Sequence, residues 1–184
     1  MDWKYLVKEL ESCQRCPLSK TRTNVVIGSG NKSSDILIVG EGPGYNEDIK
    51  GEAFVGKAGQ LLDKILHAVE LSRDNVYITN IVKCRPPDNR DPLNEEKETC
   101  LPFLRKQFLL IKPRITLCLG RVAAQTLIEP DFKITKSHGE WYEKKGYLFI
   151  ATYHPAALLR DPSKKKDTWE DMKKFKVKYD ELKN

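Results

Sequence analysis

The chain has 184 residues, 40% of them hydrophobic and 32% charged, with a formal net charge of +6. That length supports one domain with a proper core, and the composition excludes a disordered or fibrous chain. No stretch approaches the length of a membrane span, and the N-terminal MDWKYLVKELESC carries charges throughout with no apolar h-region, so neither a membrane protein nor an exported one is expected, and a cytoplasmic location is.

The first element in chain order is a C-x-x-C pair, Cys13 and Cys16 in ESCQRCPLSKTR, which can chelate one metal centre from a single turn. DILIVG (35–40) reads as a buried strand and runs into Gly40-Glu41-Gly42-Pro43-Gly44. That loop is a plain turn or a phosphate cradle. It lacks the G-x-G-x-x-G register of a dinucleotide site, and Pro43 stiffens it. Residues 55–70 place Leu61, Leu62, Ile65, Leu66 and Val69 at helical spacing. VYITNIVK (76–83) is the second strand, and it carries Asn80, which by itself reads as a capping or ladder-end residue.

Cys84 follows in KCRPPDNR. Residues 91–111 are helical and contain Cys100, with Pro102 predicting a kink or break. RITLCLG (114–120) is the third strand, in which Cys118 reads as a small core residue, and a helix runs from Arg121 to about Ile128. WYEKKGYLFIATYH holds a turn at Lys145-Gly146 and a fourth strand, YLFIATY, ending at His154, which could serve as a helix cap before Pro155. Short helices from Pro155 and from Thr168 finish the chain.

Cys84 and Cys100 could complete a four-thiolate site with Cys13 and Cys16. Fifteen residues separate Cys84 from Cys100, and sixty-seven separate Cys16 from Cys84. That uneven spacing suits a cluster built into a finished fold better than a zinc ribbon, although four thiolates accept either centre. Free buried thiols are the plainer alternative. A disulfide needs an oxidising compartment that nothing else here suggests.

Strands alternating with helices predict a parallel sheet covered on both faces, with ligands at the carboxyl ends of the strands. The glycine loop, Asn80 and His154 all fall at such ends. From residue 133 onward thirteen Lys or Arg face eight Asp or Glu. This bias would suit a polyanion, because each cation set against a phosphate releases a counterion. On charge alone, a solvated Lys-rich helix face explains it better.

GEGPG, GEAFVGKAGQLLD, TNIVKCRPP and HPAALLR, together with the four cysteines, resemble the motifs of the family 4 uracil-DNA glycosylases, the iron–sulfur type, from about residue 13 to 160. The resemblance implies a three-layer α/β/α fold with a central four-stranded parallel sheet, forming one domain over 1–184 with an N-terminal cluster-binding segment. It implies a [4Fe-4S] cluster on Cys13, Cys16, Cys84 and Cys100. It also implies a monomeric DNA-repair enzyme that flips uracil out of single- or double-stranded DNA and hydrolyses the N-glycosidic bond.

Site roles follow from the matched motifs. His154 would donate to uracil O2, helped by the backbone N–H of Gly42. Asn80 would read uracil O4 and N3–H, and Phe54 would stack on the flipped base. Gly42 stands where other members of the superfamily carry a water-activating aspartate, which leaves Glu41 as the nearby carboxylate to position water or the loop. Gly44 stands where a tyrosine ends the motif in the best-known families, so Tyr45 or Glu47 would exclude thymine. Leu158 and Leu159 are candidate wedges that fill the gap left by the flipped nucleotide, with Arg160 and Lys164 to Lys166 gripping phosphates. The rival is a non-catalytic iron–sulfur module, DNA-binding or polymerase-associated, on the same fold.

Overall fold

The computed structural model describes residues 2–183. Helix α1 (Trp3–Glu11) starts at Asp2, whose Oδ1 accepts the Tyr5 N–H at 2.8 Å, and it turns Leu6 and Leu10 inward. The two-residue strand β1 (Ser29–Gly30) precedes β2 (Ile36–Gly40). Then come α2 (Tyr45–Lys50), α3 (Lys57–Ala68), β3 (Val76–Asn80), α4 (Asn94–Ile111) and β4 (Ile115–Leu119). The chain continues through α5 (Arg121–Leu127), α6 (Ile134–Ser137), β5 (Trp141–Lys144), β6 (Tyr147–Thr152), α7 (Pro155–Arg160) and α8 (Lys165–Lys183).

The strands form one sheet in the order β1-β3-β2-β4-β6-β5. The inner pairs are parallel, while β1 on β3 and β5 on β6 are antiparallel. The sheet is therefore six-stranded and mixed: its four inner strands are parallel, and each edge adds an antiparallel strand that was not expected. Both additions are edge strands with weak sequence signals. One is a Ser-Gly pair, and the other, Trp-Tyr-Glu-Lys, is half polar because its outer side faces solvent.

Strand alternation divides the core. Leu37, Val39, Tyr77, Cys118, Phe149 and Ala151 pack on one face against α1, α4 and α5. Ile36, Ile38, Val76, Ile78, Leu117 and Ile150 pack on the other against α3 and α8. Every inner strand is buried on both faces for most of its length, hence the near-continuous apolar runs.

Two further expectations are corrected. Helix α4 runs unbroken through Pro102, giving up one backbone hydrogen bond within a turn whose Cys100, Phe103 and Leu104 are buried. The final helix starts at Lys165 and has 19 residues, so it is not short. Strand β3 also stops at Asn80, three residues before the expected end. The parallel register pairs Gly40 with Asn80 and Leu119 with Thr152, so the carboxyl ends of β2, β3, β4 and β6 share one rim.

Candidate functional site

A cleft of about 520 Å³ opens along that rim. Glu41, Gly42, Glu47, Phe54, Asn80 and His154 all line it, so residues spread over more than a hundred positions converge there. Arg160 and Lys164 line it as well.

Phe54 is buried and holds a left-handed backbone, φ +55°. A non-glycine residue in that region is strained and needs support from its surroundings. Arg73 supplies part of it, donating to the carbonyls of Phe54 and of Ala53, the latter at 2.9 Å, and pairing with Asp63 at 2.8 Å. Glu47 supplies the rest, since its Oε1 accepts the N–H groups of Val55 at 2.9 Å and Gly56 at 2.8 Å. Two glycines make room. A Cβ on Gly59 would lie 1.8 Å from the Phe54 carbonyl oxygen, and one on Gly40 would lie 2.6 Å from the Phe54 ring. The GEAFVGKAG segment thus places an aromatic ring beside His154, with ring centroids 5.6 Å apart. Arg73 was not legible as part of this site, because nothing in its local sequence points to Phe54.

Asn80 is the last residue of β3 and is 2% exposed. Its Oδ1 is buried without a hydrogen-bond partner. An orphaned buried acceptor is costly, and in a cleft it marks a place for a donor from outside.

His154 caps α7 and lines the cleft. Its Nδ1 accepts the Ala156 N–H at 3.1 Å, so the ring proton of the neutral imidazole sits on Nε2. Burial pushes its pKa down to about 4, helped by the nearby Arg160 charge and opposed by Glu47. The capping role and the donor role considered for this residue therefore coincide in one side chain.

Glu41 is half-buried beside Asp91. Burial pushes its pKa up to about 7, with Asp91 adding like-charge repulsion and Arg121 countering it. Arg121 forms an ion pair with Asp91. Asp91 and Arg121 thus extend the carboxylate site, although the sequence reading gave Asp91 only to a helix boundary and Arg121 only to a helix start.

The candidate wedge is corrected in part. Leu158 is 1% exposed and packs inward, so it cannot enter DNA, whereas Leu159 is 48% exposed. Adjacent positions on one helical turn point in different directions. Of the candidates for thymine exclusion, Glu47 lines the cleft; Tyr45 is 58% exposed, outside the cleft lining, with the Arg85 guanidinium 5.1 Å from its ring. Lys164 lies over Tyr153 at 5.5 Å, while Lys165 and Lys166 are exposed at the start of α8.

Cys13, Cys16, Cys84 and Cys100 line a second, much smaller cavity of about 20 Å³. Among the described residues, no three Cys, His, Asp or Glu side chains are drawn together as a single-ion site. Four thiolates around one cavity could hold either an iron–sulfur cluster or a zinc ion. Cationic groups flank them. Arg22 Nη1 donates to Cys84 Sγ at 3.1 Å and Arg22 Nη2 to the Cys13 carbonyl at 2.9 Å, while Lys83 lines the cavity wall. Burial pushes the Cys100 thiol up to about 11, opposed by the Lys83 charge and backbone N–H. Cys118 is fully buried in β4, as expected of a core residue, and burial pushes its thiol up to about 12. Among the described residues no helix is long and apolar enough to cross a membrane.

Comparison with known proteins agrees with this geometry. A family profile described as the Uracil DNA glycosylase superfamily matches residues 27–173. The chain is 47% identical over 178 residues to the type-4 uracil-DNA glycosylase of Archaeoglobus fulgidus, spanning 92% of this chain and 89% of that protein. It is 43% identical over 180 residues to the type-4 uracil-DNA glycosylase of Saccharolobus solfataricus, spanning 93% and 83%. It is also 35% identical over 136 residues to part of a DNA polymerase of Bacillus phage SP01, spanning 73% of this chain and 15% of the polymerase.

Proposed function

The chain belongs to the Uracil DNA glycosylase superfamily, and on that premise we propose that it is a DNA-repair glycosylase of the type-4 kind, removing uracil from DNA and leaving an abasic site. The observation that carries this reading is the unpartnered Asn80 Oδ1 in the cleft. Uracil N3–H is the donor that acceptor lacks, and the amide Nδ2 donates to O4. Cytosine presents the reverse pattern and would leave buried groups unpaired, which discriminates strongly.

The reaction breaks the bond between deoxyribose C1′ and uracil N1. The sugar becomes oxocarbenium-like and the base departs as an anion, with charge developing at O2. His154 meets that charge as a neutral donor through Nε2, its tautomer set by the Ala156 N–H. The N–H of Gly42 assists. At Gly42 a Cβ would come 2.8 Å from the Val82 side chain, so the loop seats closely only with glycine there. Phe54 stacks on the flipped base. Glu41 positions the water that attacks C1′, and a dissociative transition state asks little of it as a base.

Glu47 takes the place beside the uracil C5 edge. A Cβ on Gly44 would lie 2.8 Å from Glu47 Oε2, so the residue at the motif's end is small where the Glu47 carboxylate folds over it. Leu159 fills the gap left by the flipped nucleotide, and Arg160 with Lys164 contacts phosphates. Cys13, Cys16, Cys84 and Cys100 would hold a [4Fe-4S] cluster. When bound, that cluster would cross-link the N-terminal segment to α4 and to the loop after β3. Action on DNA supports a cytoplasmic location, and one chain carries every residue invoked, which suits a monomer.

The test is incubation of the purified protein with a uracil-containing oligonucleotide, single- and double-stranded, followed by alkali. Strand cleavage confined to the uracil position is expected. Intact strands at every protein concentration would favour the non-catalytic module, the reading to which the polymerase similarity lends weight.

A further inference from the structure

We propose that Lys83, which lines the cysteine cavity, is a positioning residue for base recognition, holding Asn80 at the uracil site. The inference rests on Asn80 being the uracil reader. Lys83 is a wholly buried lysine, 0% exposed. Its Nζ donates to the Asn80 carbonyl and to Thr79 Oγ1, both at 2.6 Å. It also lines the cysteine cavity, next to Cys84 in the chain. One residue thus touches both functional regions, which share no lining residue.

The sheet explains why a donor is needed there. Strand β1 is two residues long and pairs only with Tyr77 and Ile78; residues 26–27 continue beside that edge, with Val26 N–H donating to the Lys83 carbonyl at 2.7 Å, but no backbone N–H among the described residues reaches the Asn80 carbonyl. A buried carbonyl left without a donor costs more than a hydrogen bond contributes. Lys83 Nζ supplies the donor that the ladder lacks. The aim of the Asn80 side chain depends on this, since its Oδ1 has no partner inside the protein to orient it. The amide is aimed by its backbone and by its contact with Gly40, where a Cβ would lie 2.5 Å from Oδ1.

The test uses cluster-loaded protein carrying Lys83→Met, which keeps the unbranched stem and removes the donors. Four quantities are measured: the single-turnover excision rate, inhibition by free uracil, affinity for abasic DNA, and the visible absorbance of the cluster. The rate should fall by about ten- to a hundredfold, the scale of a small misplacement at a reacting centre. Inhibition by free uracil should weaken in parallel, while abasic-DNA affinity stays at the wild-type value. The absorbance band should keep its wild-type form, because the lost donors served Asn80 and Thr79 and not a cysteine. A purely structural lysine would lower the melting temperature and leave uracil inhibition unchanged, and that result overturns the proposal. If Lys83→Met does not fold, Thr79→Val removes one Nζ acceptor while keeping the lysine; a parallel loss of rate and uracil inhibition supports the proposal, and wild-type values overturn it. A wild-type protein that leaves uracil DNA intact overturns the glycosylase reading and this inference with it. An active wild type beside an unaffected Lys83→Met overturns this inference alone.

Discussion

His154 Nδ1 accepts the Ala156 N–H at 3.1 Å, so the contact that starts α7 also fixes which imidazole nitrogen faces the cleft with a proton. Removing the ring in His154→Ala should lower the single-turnover rate by roughly a hundredfold or more, as loss of one oxyanion donor does elsewhere. Affinity for abasic DNA should change little, because that complex holds no uracil. A variant that cleaves at the wild-type rate, or is slow only because it no longer binds DNA, would show that His154 does not stabilise the leaving group.

The same residue predicts a pH effect on stability. Its folded pKa of about 4 lies below the ordinary imidazole value of 6.5, so the unfolded chain binds the proton first as pH falls. The contribution is fully present above about pH 6.5 and is lost as pH falls towards about 4. Chemical denaturation of the wild type and His154→Gln across that range should show a shallower loss in the variant.

Glu41 carries a signal of opposite sign. With its pKa raised from 4.5 to about 7, it gives stability below pH 4.5 that is lost as pH rises through about 7. If the ionised form positions water, the single-turnover rate should climb through the same range and level off above it. Glu41→Gln should flatten the profile. Asp91→Asn removes a like charge and should move the inflection to lower pH. A wild-type profile in that variant would detach Asp91 from the site.

Asn80→Asp places a carboxylate where the amide donates to uracil O4, so uracil excision should weaken markedly. The new acceptor matches the exocyclic amine of cytosine, and slow cytosine excision should be detectable. Uracil excision at the wild-type rate would remove Asn80 from base recognition.

Leu158→Ala and Leu159→Ala should separate cleanly. Truncating the buried Leu158 should cost about 2–5 kcal/mol of stability through the cavity left behind. Leu159→Ala should leave stability near the wild-type value and reduce excision more on duplex than on single-stranded DNA, where no partner strand has to be kept apart. Equal losses on both substrates would count against the wedge.

The purified protein should be brown, with the broad visible absorbance of an iron–sulfur centre. Substituting Cys13, Cys16, Cys84 or Cys100 by Ala should bleach or destabilise it, whereas Cys118→Ala, in the β4 core, should keep the colour. A colourless, stable protein with one stoichiometric zinc would replace the cluster with another centre.

What the sequence determined by itself is what depends on short separations along the chain. Apolar runs of strand length marked the inner strands, helical spacing marked 55–70, and the turn at Lys145-Gly146 was legible where Lys145 and Gly146 both take positive φ. Gly40, Asn80 and His154 could be placed on one rim because parallel strands bring their carboxyl ends together. Tertiary structure decided whatever depends on partners far apart in sequence. Strands β1 and β5 exist because β3 and β6 offer them edges, since neither segment has the apolar alternation to declare itself. Phe54 is held in a left-handed conformation by Arg73, nineteen residues on. Leu158 and Leu159 are chemically identical, and only the docking of α7 sends one inward and the other to solvent. Lys83 looked like one more cation beside Cys84. Its burial against Asn80 arises because a long side chain with three donors reaches a carbonyl that no strand covers.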